Sequence, residues 1–280
     1  MMLKSPEDEK PIKYSYTFQK KHIYKKVVEL DSNAKAAISM VRKKSEKYDK
    51  CIEYIFKTSF FRQEGVKDPL VFDPLKWIFN LELNGAGINS KDELKLLWNR
   101  HKDKYRNKDN MMAFMALENL YFNSLFGMEY MYFSNSPYLS FFINVFNKEI
   151  QPDTVIKGLD FLLLPMSIPV NTTYKCAKID QTHIYLDGWL SLDEKKLEKL
   201  ITQKQFKEYA KSYHYSKDFR IDSEIKICFD IGSSSLSSAI FKLDINGESN
   251  KLKENTYYKI DRNDSIAHNT VTRFKIIDPY

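Results

Sequence analysis

The stretch 109–146, DNMMAFMALENLYFNSLFGMEYMYFSNSPYLSFFINVF, sets the first reading of the fold. Between Met111 and Phe146 the only charged residues are Glu118 and Glu129, while eleven of the 36 residues are aromatic and five are Met. A lone helix in water could not expose that much apolar surface, so the rest of the chain is expected to wrap it. It does not read as a membrane span, because Glu118, Asn119, Asn123, Glu129 and the Ser134-Asn135-Ser136-Pro137 break interrupt it. The expectation is a buried helix over about 109–133, the hub of a helical lobe, with Ser136-Pro137 opening a further helix to about 147.

Working toward the N-terminus, residues 12–30 alternate β-branched and aromatic residues with polar ones, which predicts strands over about Lys13–Phe18 and Ile23–Leu30. After Asp31-Ser32, the residues Ile38, Val41, Ser45, Tyr48, Ile52, Ile55 and Phe56 recur at spacings of three and four. That spacing predicts an amphipathic helix over about 33–59. Asp73-Pro74 reads as the start of a short helix through Trp77 and Phe79, and Asn84-Gly85-Ala86-Gly87 as a turn. Ser90-Lys91-Asp92-Glu93 has the capping-box pattern for a helix carrying Leu94, Leu97, Trp98 and His101.

Past Gln151-Pro152-Asp153 the texture changes. Thr173–Ile179 and His183–Leu186 read as a hairpin around Asp180-Gln181. Ser191-Leu192-Asp193-Glu194 is a second capping box, for a long helix to about Tyr213. Strands follow at about 223–231, 236–245, 254–260 and 271–277, with Asn246-Gly247 as a hairpin turn. The expected fold class is therefore α+β: a helical lobe followed by a mainly antiparallel β-sheet lobe with one long helix. The expected organisation is a basic N-terminal strand arm (1–30), a helical lobe (31–150) and a β-rich lobe (151–280). Pairing of the N-terminal strand with the C-terminal sheet would make these one continuous domain.

Charge is unevenly placed. Of the net +7, residues 1–150 carry 25 basic and 19 acidic groups, and residues 10–50 alone hold 12 basic and 4 acidic ones. The excess is lysine, 37 against 7 Arg, and lysine is a solvated point charge rather than a bidentate reader of bases. Lys13, Lys20, Lys21, Lys25, Lys26, Lys43 and Lys44, interleaved with Tyr14, Tyr16, Phe18 and Tyr24, are the candidate contacts for a polyanion or nucleic acid. Three widely spaced cysteines, Cys51, Cys176 and Cys228, fit a reducing compartment, and the N-terminus shows no apolar signal core, so the expected location is cytoplasmic.

Two stretches could carry chemistry. Asp222-Ser223-Glu224-Ile225-Lys226 opens a strand, and carboxylate-x-Lys on a strand resembles half of the signature of restriction-type nucleases. There acids hold Mg²⁺ and the lysine positions water, so the resemblance implies catalytic roles for Asp222, Glu224 and Lys226. The family's upstream Asp has no counterpart at the right spacing. Cys228-Phe229-Asp230-Ile231-Gly232-Ser233-Ser234-Ser235 resembles, over about 20 residues, the first phosphate-binding hairpin of the actin-like and sugar-kinase superfamily, whose turn cradles phosphate. The second phosphate loop of that family is missing here, which favours a plain hairpin.

Arg262 and His268 have the Arg-x5-His spacing of some helical ribonucleases, but on a stretch that reads as a loop. His183 and Asp187 share a strand face, too few ligands for zinc, and no other metal set is legible. Glu118 and Glu129 would lie about 16 Å apart along a helix, too far for an acid/base pair. The function these observations favour is a soluble, non-enzymatic interaction or accessory protein with an unidentified protein partner, weak polyanion binding and no cofactor. The alternative is a Mg²⁺-dependent nuclease.

Overall fold

A computed structural model describes residues 1, 3, 11–44, 46, 51–64, 75–80, 85–88, 99, 148–158, 161–163, 168–201, 220–247 and 251–263. Their strands are β1 (Ile12–Tyr24), β2 (Val27–Lys44), β3 (Cys51–Glu64), β4 (Leu75–Asn80), β5 (Gly85–Ile88), β6 (Val155–Lys157), β7 (Phe161–Leu163), β8 (Ile168–Ile179), β9 (His183–Leu192), β10 (Arg220–Asp230), β11 (Ser235–Gly247) and β12 (Leu252–Arg262). One helix, α1 (Glu194–Ile201), stands between β9 and β10 among the described residues. All twelve strands form one antiparallel sheet in the order β5-β4-β3-β2-β1-β12-β11-β10-β9-β8-β6, with β7 also on β8.

The α+β expectation is thereby corrected: among the described residues the protein is almost entirely antiparallel sheet, with one short helix. Within 33–59, residues 33–44 and 51–59 are not helix but strand, in β2 and β3. The period of three to four overlies a period of two, in which Ile38, Met40 and Arg42 are buried while Ser39, Val41 and Lys43 alternate with them. What decides between the periods is the partner strand. β2 pairs with β1 from Ile12↔Met40 to Tyr24↔Val27, and that ladder outweighs the helix propensity of Ala34, Ala36 and Ala37. The sequence of β3, CIEYIFKTSFFRQE, is rich in β-branched and aromatic residues, which suit a pleated surface.

Two smaller expectations also change. Leu75–Asn80 is a strand rather than a helix, and Gly85–Gly87 belong to β5, which pairs back on it. Of the helix expected around 90–101 only Asn99 is described, and the helices expected over 109–147, with Glu118 and Glu129, lie outside the described residues, as does the strand expected at 271–277. Of the helix expected to run to Tyr213, the described part is α1, and Asp193 caps it by accepting from the Lys196 amide at 3.0 Å.

The hairpin around Asp180-Gln181 is present as β8–β9. Asp180 organises its turn, its Oδ1 accepting from the amides of Thr182 (2.9 Å) and His183 (2.7 Å). Those amides hold the half-buried carboxyl down at about 2. Asn246-Gly247 is not the turn of β11–β12. Both residues are still paired within the ladder, with Lys253 and Leu252.

β1 also pairs with β12 along almost its whole length, Tyr14↔Arg262 to Tyr24↔Leu252, joining the two ends of the described chain in one sheet. One face of that sheet is the core. Tyr14, Ile38, Met40, Tyr174, Phe229, Phe241 and Ile260 are all buried on it. Tyr258 ties three strands together there, its ring 4.9 Å from Phe18 and 5.5 Å edge-on to Phe241. Tyr174 lies flat over two glycines: a Cβ at Gly188 would come 2.5 Å from its ring, and one at Gly158 2.7 Å.

Candidate functional site

The basic segment does not form one surface. Lys20 points into the core face, where its ammonium lies 2.9 Å from Glu254. Lys13, Lys43 and Lys44 sit at one end of the β1–β2 hairpin, and Lys25 and Lys26 form the turn at the other, about 50 Å away along β2 at a strand's rise per residue. Lys43 is engaged by Glu46 (3.5 Å) and Glu53 (3.8 Å), and Lys21 by Asp31 (3.6 Å). Tyr14 and Tyr16 are buried and Phe18 is half-buried, so these rings belong to the core rather than to a base-stacking surface.

At the Lys25-Lys26 end, the fold assembles a site from two distant segments. Because β1 and β12 are neighbours, the Lys25 amide donates to the Lys251 carbonyl at 2.9 Å, and Ile23 pairs with Lys253. Lys25, Lys26, Lys251 and Lys253 are all exposed, and none of the four has an ion-pair partner among the described residues. The Lys25 ammonium rests 5.1 Å above the Tyr24 ring. Immediately after the turn, Val27 and Val28 are 63% and 48% exposed.

The turn itself is unusual in composition. Lys25 has φ 47° and Lys26 φ 69°, the pair of left-handed residues that a two-residue hairpin turn of this hand requires. Asn-Gly is the sequence that adopts it at low cost, and two lysines there carry backbone strain of about 1 kcal/mol each.

The acid-x-Lys strand lies on the opposite, solvent face. Glu224 is clamped between two ammonium groups, Lys226 at 2.6 Å on Oε1 and Lys242 at 2.6 Å on Oε2. The hydrogen bonds from Lys226 and Lys242 hold its carboxyl down at about 2. Asp222 faces Asp244, which is bonded instead to Asn255, and Lys226 faces Asp187 on β9. Both Glu224 oxygens are thus occupied, one by Lys226 on its own strand and one by Lys242 across on β11. Among the described residues, no three His, Cys, Asp or Glu side chains gather as a metal site.

The Asp230–Ser235 turn is knitted into the protein. Asp230 accepts from both the amide and the hydroxyl of Ser233. Arg42 donates to the carbonyls of Ser234 (2.6 Å) and Ser233 (3.2 Å), and Arg262 donates to the hydroxyls of Ser233 (2.7 Å) and Ser235 (2.6 Å). Burial pushes Asp230 upward, but the Ser233 bonds and the Arg262 charge outweigh it and leave the carboxyl below its usual range. These contacts tie β2 and β12 to the turn. Arg262 is thus part of a strand, while His268 lies outside the described residues.

His183 bonds to Thr182 Oγ1 at 2.8 Å, and Asp187 faces Lys226, so these two do not converge. Cys176 and Cys228 are free thiols, both pushed up in pKa mainly by burial.

No protein-family model matches the chain, and neither does any curated protein. Among solved structures, the chain is similar to one titled "Lipid-protein interactions in lipovitellin", at 5% identity and a TM-score of 0.38, covering 92% of this chain and 25% of that one. It is also similar to a DUF1329 family protein from Desulfovibrio piger, at 6% identity and a TM-score of 0.20, covering 92% and 89%. The chain spans about a quarter of the lipovitellin chain. At these scores neither likeness bears on function. Among the described residues no helix is long and apolar enough to cross a membrane.

Sequence reading missed Lys251 and Lys253, because only the β1–β12 pairing brings them to Lys25. It also passed over Val27 and Val28. The available signal was Lys-Lys at a tight reversal followed by two valines on the rim of a basic segment.

Proposed function

We propose that the protein is a soluble, cytoplasmic, non-catalytic binding protein that holds a polyanion at the basic end of its sheet. The observation that supports this reading is the convergence of Lys25 and Lys26 with Lys251 and Lys253 across the β1–β12 ladder. Four ammonium groups on two adjacent hairpin ends attract phosphate by charge, and each contact releases a counterion. The strained Lys-Lys turn points the same way, since strain persists where something other than stability keeps the residues.

The test compares two lysine sets on one labelled single-stranded oligonucleotide at low salt. Changing Lys25, Lys26, Lys251 and Lys253 together to Gln is expected to weaken binding at least about tenfold. Changing Lys13, Lys43 and Lys44 together to Gln is expected to leave it within about threefold. Equal losses, or a loss confined to the second set, would return the site to the N-terminal arm as a whole.

A further inference from the structure

We infer that the polyanion held at this end is the surface of an anionic lipid bilayer, with Val27 and Val28 entering the headgroup boundary while the lysines sit on headgroup phosphates. This inference rests on the binding reading above and adds the class of partner. Its argument is the pairing of charge with apolar surface at one point. Val27 and Val28 are among the most exposed large apolar residues described, and they sit directly beside Lys25 and Lys26. Successive strand residues point to opposite faces, so the two valines cover both sides of the hairpin end. A hairpin tip entering an interface would bury both of them.

A nucleic acid would use the lysines but has no use for the valines. Its bases call for exposed rings, and the nearest ring, Tyr24, is half-buried under the Lys25 ammonium. A tip built from lysine without arginine suits a diffuse field of lipid phosphates better than a fixed bidentate target. Of the described acidic side chains at this end, Asp31 is paired with Lys21 and Glu254 with Lys20.

The experiment is co-sedimentation with phosphatidylcholine vesicles, with and without about 30% phosphatidylserine, the same proteins being titrated with the labelled oligonucleotide. The wild type is expected to sediment only with the anionic vesicles. Lys25→Gln with Lys26→Gln should weaken that binding about thirtyfold, each lysine near an anionic surface counting for about fivefold. Val27→Ser with Val28→Ser should weaken it about tenfold and leave oligonucleotide binding unchanged. Val28→Trp, which keeps an apolar group at the site, should strengthen vesicle binding and blue-shift its emission on the vesicles.

Vesicle binding indifferent to both valine variants would overturn the inference. So would binding to the oligonucleotide without binding to vesicles, in which case the polyanion reading stands and the partner is nucleic acid. Binding to neither probe would overturn both readings.

Discussion

Glu254 is the most informative residue to change for the fold. Its side chain is 1% exposed, on the same face as Phe241, Tyr258 and Ile260, and it meets the Lys20 ammonium at 2.9 Å and His22 Nδ1 at 3.3 Å. Burial works against its charge, but the Lys20 charge and the hydrogen bonds from His22 and Lys20 outweigh it and hold the carboxyl below its usual range. Glu254→Gln keeps the shape and removes the buried carboxylate charge that meets the Lys20 ammonium and His22.

Breaking a buried pair from one side costs about 3–5 kcal/mol, and Lys20, which still reaches some solvent, recovers part of it. The expected loss is about 3 kcal/mol, or about 6–12 °C in melting temperature for a chain of this size. Replacing both partners, Lys20→Met with Glu254→Leu, should recover most of that loss, because two apolar groups leave no orphan charge.

The same pair predicts a pH dependence. A carboxyl whose pKa is lower folded than unfolded stabilises the protein above the unfolded value, and that stability is lost as pH falls through the folded value. The wild type should therefore lose part of its advantage over Glu254→Gln as pH drops below about 4.5, so the gap between their melting curves narrows. Thermal melts followed by circular dichroism at several pH values decide the matter. A variant that melts within 1 °C of wild type, or a gap that does not change with pH, would refute the reasoning.

Two further outcomes follow from the backbone. Gly188→Ala should cost about 2 kcal/mol in denaturant unfolding, since its Cβ would sit 2.5 Å from the buried Tyr174 ring and 3.0 Å from the Thr173 carbonyl. Lys25→Asn with Lys26→Gly should raise stability by about 1 kcal/mol, by giving the turn residues that accept positive φ, while lowering polyanion binding.

How much of this was legible beforehand depended on how local the deciding contact is. The β8–β9 and β10–β11 hairpins were readable because turn and alternating strands are contiguous in sequence. Residues 33–59 were misread because Ala, Lys and Met favour a helix locally. What makes them strands is β1, whose other neighbour β12 lies more than 200 residues further along the chain. The same distance hid the site. The excess of lysine near the N-terminus was visible, but not that Lys20 is neutralised by Glu254 or that Lys251 and Lys253 stand beside Lys25. The acid-x-Lys strand was located correctly on β10. Only the register with β11 shows that Lys242 occupies the second oxygen of Glu224.

The central claim is that four lysines on two hairpin ends act as one anion-binding site. The most direct measurement is the salt dependence of oligonucleotide binding for the wild type and for the Lys25, Lys26, Lys251 and Lys253 to Gln variant. With four phosphate contacts, log K should fall against log salt with a slope of about −3 on single strands, and the variant should lose nearly all of that slope. A wild-type slope near zero, or one that the variant retains, would contradict the claim.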